Sequence, residues 1–228
     1  MAIEYRITLD DQHVLNYRVE PERMLDEQVM QNAPAWTRLE YNRCSNCPLS
    51  TQQHSHCPAA LDLHQVVEDF RGLPAFQKVQ VWVRTPEREY TKLAGIEEGL
   101  RSLLGLIMAT SACPVSAKLK PMAYNHLPFA SPHEFVMRAV SLYLARQYFN
   151  MREGRYADWE LKGLVKTFQN LQLLNQAFWQ RIHDTCEGDS TLKAFLTFFS
   201  LSSSMTHSLE TQLQRIRPMV MSAGEGLD

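Results

Sequence analysis

Apolar and polar positions alternate at the start of the chain, where Ile3, Tyr5, Ile7 and Leu9 share one side. Asp10-Asp11-Gln12 interrupts the pattern, and Leu15, Tyr17 and Val19 resume it. A period of two with one apolar side predicts a β-hairpin lying on a core. Thr37, Leu39 and Tyr41 predict a third extended segment that delivers the chain to Cys44. A second hairpin is predicted by Val79, Val81 and Val83, with Thr85-Pro86-Glu87-Arg88 as its turn and Tyr90 to Leu93 as its return. Between the hairpins, Leu63, Val66, Val67 and Phe70 fall on one helical face, and Gly72 and Pro74 end that helix.

Beyond Gly95 the period becomes helical and stays so. Ile96, Leu100, Leu103 and Ile107 form one stripe. Ser131-Pro132-His133-Glu134 carries a capping box with proline at the first helical position, opening a helix through Phe135, Ala139, Leu142 and Phe149. Asp158 is predicted to start a long helix with the stripe Leu161, Leu164, Val165, Phe168, Leu171, Phe178 and Ile182. Two further helices are predicted through Leu192, Phe195 and Phe199 and through Met205, Leu209, Leu213 and Ile216, before a frayed tail from Ser222. The expected fold class is α+β: residues 1–95 hold antiparallel hairpins and a cysteine-rich loop, and residues 96–228 are all helical.

Composition narrows the function classes. The chain has 228 residues, 45% of them hydrophobic, so a packed core is expected. Its 23 basic and 25 acidic residues leave a net charge of −2, which argues against a protein whose main task is to coat nucleic acid. No apolar run approaches the roughly 20 residues needed to cross a bilayer, and the first residues lack a signal-peptide pattern, so the expected setting is cytoplasmic.

In a reducing compartment, clustered cysteines point to metal or redox chemistry more than to structural disulfides. Cys44 and Cys47 have the spacing that lets one tight turn aim two sulfurs at one centre, and Cys57 follows after a short polar loop. With Pro58 at the first turn, Cys57 becomes the N-cap of the Leu63 helix, where the dipole and free N–H groups favour a thiolate. Pro114 breaks the Ile96 helix at Cys113, which could join the other three and pin the two parts into one cooperative unit. The expected site is therefore Cys44, Cys47, Cys57 and Cys113, with His54, His56 and His126 as substitute ligands. Four cysteines suit a [4Fe-4S] cluster, and the cysteine-proline pairs lean that way; Zn2+ stays open on the same residues. A hydrogen-bonded loop of reduced thiols and a transient Cys44–Cys47 disulfide are the other readings. Cys186 is expected to be a buried small hydrophobe.

Outside the cysteines, Lys118, Lys120, Tyr124 and His126 could bind an anion or act beside the site, or be an ordinary solvated loop. Asn175 interrupts an apolar stripe, so a hydrogen-bonded partner is expected for it. The methionines and aromatic residues of the helical part, Trp159 and Trp179 among them, read mainly as core. Arg181, Arg215 and Arg217 could form a small basic edge, or simply be the basic residues that helix C-termini commonly carry for the dipole. No phosphate-binding Gly-Lys-Ser/Thr loop, His-Glu-x-x-His or Gly-x-Ser-x-Gly is present.

The run Cys44-Ser45-Asn46-Cys47-Pro48-Leu49 resembles the stretch that begins the cluster motif of iron–sulfur uracil-DNA glycosylases. That likeness covers six residues and implies a cluster-compatible turn, not glycosylase activity. Together with Cys57-Pro58-Ala59-Ala60, Ala109-Thr110-Ser111-Ala112-Cys113-Pro114, Lys120-Pro121-Met122 and His126-Leu127-Pro128, it resembles an uncharacterised bacterial family over most of the chain. That resemblance implies no activity. Three functions are expected to compete. The first is a metal-dependent regulatory, redox-sensing or electron-transfer protein. The second is an enzyme acting on a small anionic substrate near Lys120 and His126. The third is a zinc-stabilised scaffold whose helices dock a protein partner.

Overall fold

A computed structural model describes residues 1–22, 32–185 and 209–222. The expected helix through Leu192, Phe195 and Phe199, and Cys186, lie outside the described residues. Strands β1 (Ile3–Thr8) and β2 (Val14–Val19) form the first hairpin, and β3 (Lys78–Arg84) and β4 (Glu89–Gly95) the second. They join in one antiparallel sheet of order β2-β1-β3-β4, with Tyr5 opposite Tyr17 on one side and Val83 on the other. The period of two sets the face: Ile3, Tyr5 and Ile7 of β1 and Val79, Val81 and Val83 of β3 are all buried.

Six helices are described: α1 (Pro58–Asp69), α2 (Ile96–Thr110), the short α3 (Lys120–Tyr124), α4 (Pro132–Arg152), α5 (Lys162–His183) and α6 (Leu209–Met221). The fold is α+β, with a helical C-terminal part. Helix α2 runs close against β3, because a Cβ on Gly99 would come within 2.8 Å of Val81 Cγ2. One cluster of buried side chains runs from the sheet through α1 and α2 into α4, α5 and α6.

Local chemistry explains most boundaries. Cys57 is the N-cap of α1 with Pro58 at the first turn, and Gly72 takes the positive φ of 75° that turns the chain away afterwards. The capping box of α4 is complete: Ser131 Oγ accepts from the Glu134 N–H at 3.3 Å, and Glu134 Oε2 accepts from the Ser131 N–H at 2.8 Å.

Two expected elements differ. The segment at Thr37 is no strand: Ala35–Thr37 forms a 3-10 turn, and a single bridge pairs Arg38 with His56. That bridge, with Cys57 N–H donating to Thr37 O at 2.8 Å, ties the cysteine loop to the turn before it. The long helix starts at Lys162, four residues past Asp158. Asp158 instead accepts from the Gly163 N–H at 2.7 Å and the Tyr143 hydroxyl at 2.8 Å, serving the helix start from the preceding loop.

Candidate functional site: a sealed thiol cluster and an open cleft

The four described thiols are all free, and burial dominates the chemistry of Cys44 and Cys57. Cys57 and Cys113 belong to the hydrophobic core, while Cys44 and Cys47 are half-buried beside it. Burial pushes the Cys44 thiol up to about 12, and the charges that Cys57, Cys113 and Cys47 would carry push in the same direction. Cys57 is pushed up to about 11 by burial, against the Arg181 guanidinium and the N–H groups at the start of α1. The helix N-terminus thus acts as expected, but too weakly to make Cys57 a thiolate.

Arg181 is the residue that the sequence reading misplaced. It is only 1% exposed, not part of a basic edge, and its Nη1 donates to the carbonyls of Trp36 and Arg38, the latter at 2.7 Å. Burial lowers its pKa, while Cys57 and Cys44 act to raise it. Its position was legible: it falls three residues after Phe178 and beside Ile182 on the apolar face of α5.

The expected metal centre is corrected by this geometry. Among the described residues, no group of three or more His, Cys, Asp or Glu side chains is disposed to hold a metal ion. The physical reason is in the surroundings. Burial favours the protonated form of Cys44 and Cys57, whereas a ligand must be a thiolate, and the Arg181 guanidinium that acts on them disfavours a second cation. The iron–sulfur and zinc assignments to Cys44, Cys47, Cys57 and Cys113 are withdrawn, along with the regulatory and scaffold functions built on them. The substitute ligands are dispersed in role. His54 is exposed, His56 Nδ1 lies 2.9 Å from Ser55 Oγ, and His126 belongs to a different site. Lys118 is exposed, and Lys120 Nζ pairs with Glu22 at 3.0 Å. Glu22 also accepts from the Tyr124 hydroxyl. Asn175 is 1% exposed, and neither of its amide atoms has a partner among the described residues.

The second site joins β1, α2, α4 and the loop after α3. Tyr5 points from the core face of β1, and its hydroxyl lies 2.6 Å from His126 Nε2. Burial pulls His126 down to about 3, and the nearby Arg138 charge acts in the same direction, so the imidazole is neutral. Burial raises the Tyr5 phenol well above its ordinary value, against the influence of Arg138 and Ser102. Ser102, on α2, also accepts the Phe129 N–H at 2.9 Å and so fixes the loop that carries His126.

Arg138 completes the group from α4. Its Nη1 makes one long hydrogen bond, 3.4 Å to Leu127 O, and its Nε is buried with no partner among the described residues. Burial pulls its pKa below the usual arginine range; Tyr5, Glu134 and Tyr90 act the other way. The Glu134 carboxylate is held by the capping box and makes no ion pair with it. Arg138 and His126 both line an open cleft of about 910 Å³, whose apolar wall includes Ile3, Leu127, Met137 and Met219. Both also border a small pocket of about 70 Å³ floored by α2. Arg138 follows Phe135 by three residues on the apolar side of α4, the same signal that marks Arg181.

A family model for a domain of unknown function, DUF6901, matches residues 3–220. The chain belongs to that family. No curated protein and no solved structure matches it. Within this DUF6901 chain the chemistry therefore has to be read from the residues: two thiols raised by burial near an arginine that bonds two backbone carbonyls in one place, and a neutral imidazole beside an arginine with a single long hydrogen bond in the other. No helix among the described residues is long and apolar enough to cross a membrane.

Proposed function

We propose that this DUF6901 chain binds a small organic anion in the cleft above Tyr5, His126 and Arg138. The observation that carries this reading is Arg138. Buried cations are normally paired, and buried donors are normally hydrogen-bonded. Half-buried Arg138 has, among the described residues, one long hydrogen bond, a buried Nε–H without a partner and no ion pair, with Glu134 acting on it only through space. A guanidinium in that condition at the side of a cleft of about 910 Å³ is suited to receive an anionic group from a ligand. The free thiols support a reducing, cytoplasmic setting.

The test is thermal unfolding with 3-phenylpropanoate, acetate and inorganic phosphate, each against sodium chloride of matched ionic strength. At least one of these anions should raise the Tm saturably, as binding to the folded state requires. The rise should vanish in Arg138→Met. Shifts no larger than the chloride control, or an undiminished shift in Arg138→Met, would overturn the proposal.

A further inference from the structure

The cleft holds a second feature that an anion site alone does not need. Phenol is the better neutral donor and imidazole the better neutral acceptor, so the 2.6 Å contact is assigned as Tyr5 O–H donating to His126 Nε2. That direction fixes the tautomer, because the remaining proton of a neutral imidazole must then sit on Nδ1. A partner at Nδ1 is not found among the hydrogen bonds of the described residues, and the imidazole borders the cleft. The site therefore offers a neutral N–H donor and a guanidinium from one wall.

The charges of the cleft restrict the anion. Arg88 and Arg138 are set against Glu87 and Glu134 along the same lining, so a monoanion is better matched than a dianion. A planar carboxylate also fits the fork of a single guanidinium. The apolar wall formed by Leu127, Met137 and Met219 would accept a hydrocarbon or aryl tail.

Building on the anion-binding reading, we infer that the ligand is a monocarboxylate with an apolar tail and a neighbouring oxo oxygen, with Arg138 holding the carboxylate and His126 Nδ1–H donating to the oxo group. Tyr5 is a positioning residue: it holds the imidazole in the donating tautomer and does not touch the ligand.

Phenylpyruvate and 3-phenylpropanoate differ by that one oxygen, and titration calorimetry with both separates the two claims. Phenylpyruvate should bind the unmodified protein about fivefold more tightly, the worth of one net hydrogen bond. In His126→Phe the preference should disappear, the two acids then binding with equal affinity. In Tyr5→Phe it should shrink, because the tautomer is no longer fixed. Equal affinities in the unmodified protein, or a preference that survives in His126→Phe, would overturn the role of His126 and leave the anion site standing. If neither acid binds, the anion-binding reading itself fails. Should His126→Phe not fold, the comparison of the two acids in the unmodified protein and in Tyr5→Phe still decides the matter.

Discussion

Two arginines on the apolar faces of neighbouring helices meet opposite fates. Arg181 of α5 is sealed in the core, and its charge is spent on the carbonyls of Trp36 and Arg38 in the segment leading to the cysteine loop. Arg138 of α4 sits at the wall of an open cleft with one long bond to Leu127 O. The same side chain is a structural tie in one place and, in the proposed reading, an anion receptor in the other. Each keeps a buried Nε–H without a partner among the described residues; what separates them is that Arg181 is closed off with two backbone acceptors, whereas Arg138 has one distant acceptor and borders the cleft.

The contrast can be broken most severely at Arg181. Arg181→Ala removes two hydrogen bonds made by a charged group and takes the arginine donor from the Trp36 carbonyl, while Arg38 O keeps the Tyr41 N–H; the change should cost about 3 kcal/mol of stability, read by denaturant unfolding. An effect under about 1 kcal/mol would mean that the arginine is not the tie described here.

The next effect comes from His126, which faces Tyr5 from β1 and Arg138 from α4. Its folded pKa of about 3 lies below the ordinary imidazole value of 6.5. The unfolded chain therefore binds the extra proton first, and stability is lost as pH falls from about 6.5 toward 3. Between pH 6.5 and pH 5 the His126 contribution alone should remove about 2 kcal/mol. His126→Phe should flatten that part of a stability-against-pH curve; an unchanged acid slope would show that the imidazole is not held neutral.

A smaller effect is expected at the start of α4, the helix that carries Arg138. Ser131→Ala removes one half of the capping box and should cost about 1 kcal/mol by thermal or denaturant unfolding. The cleft-lining loop next to it should then loosen, which backbone hydrogen exchange at Ser131 to Phe135 would register as faster exchange.

Much of the fold was legible because it rests on short-range signals. The alternation at Ile3, Tyr5 and Ile7 gave the buried face of β1, and the capping box at Ser131 gave the start of α4. The extended reading at Thr37 failed because three alternating residues cannot outweigh a 3-10 turn locked by contacts to the cysteine loop. Asp158 was misread as a helix start because its carboxylate reaches the Gly163 N–H across a loop that the sequence does not mark.

The sites were legible only in part. Spacing pointed to Cys44, Cys47, Cys57 and Cys113 as a metal site, and it could not reveal that a guanidinium would act on them or that burial would push Cys44 and Cys57 toward the thiol form. His126 was singled out, although its partner Tyr5 lies 121 residues away and no local pattern joins the two. Arg138 went unread and Arg181 was assigned to a basic edge despite a visible signal: an arginine at helical spacing within an apolar stripe needs acceptors from somewhere.

The central claim is that Arg138 receives an anion, and a crystal structure of the protein soaked with phenylpyruvate tests it most directly. The account predicts carboxylate oxygens about 3 Å from the Arg138 guanidinium nitrogens, with the aryl tail along Met137. Density for the ligand away from Arg138, or none at saturating concentration, would contradict it.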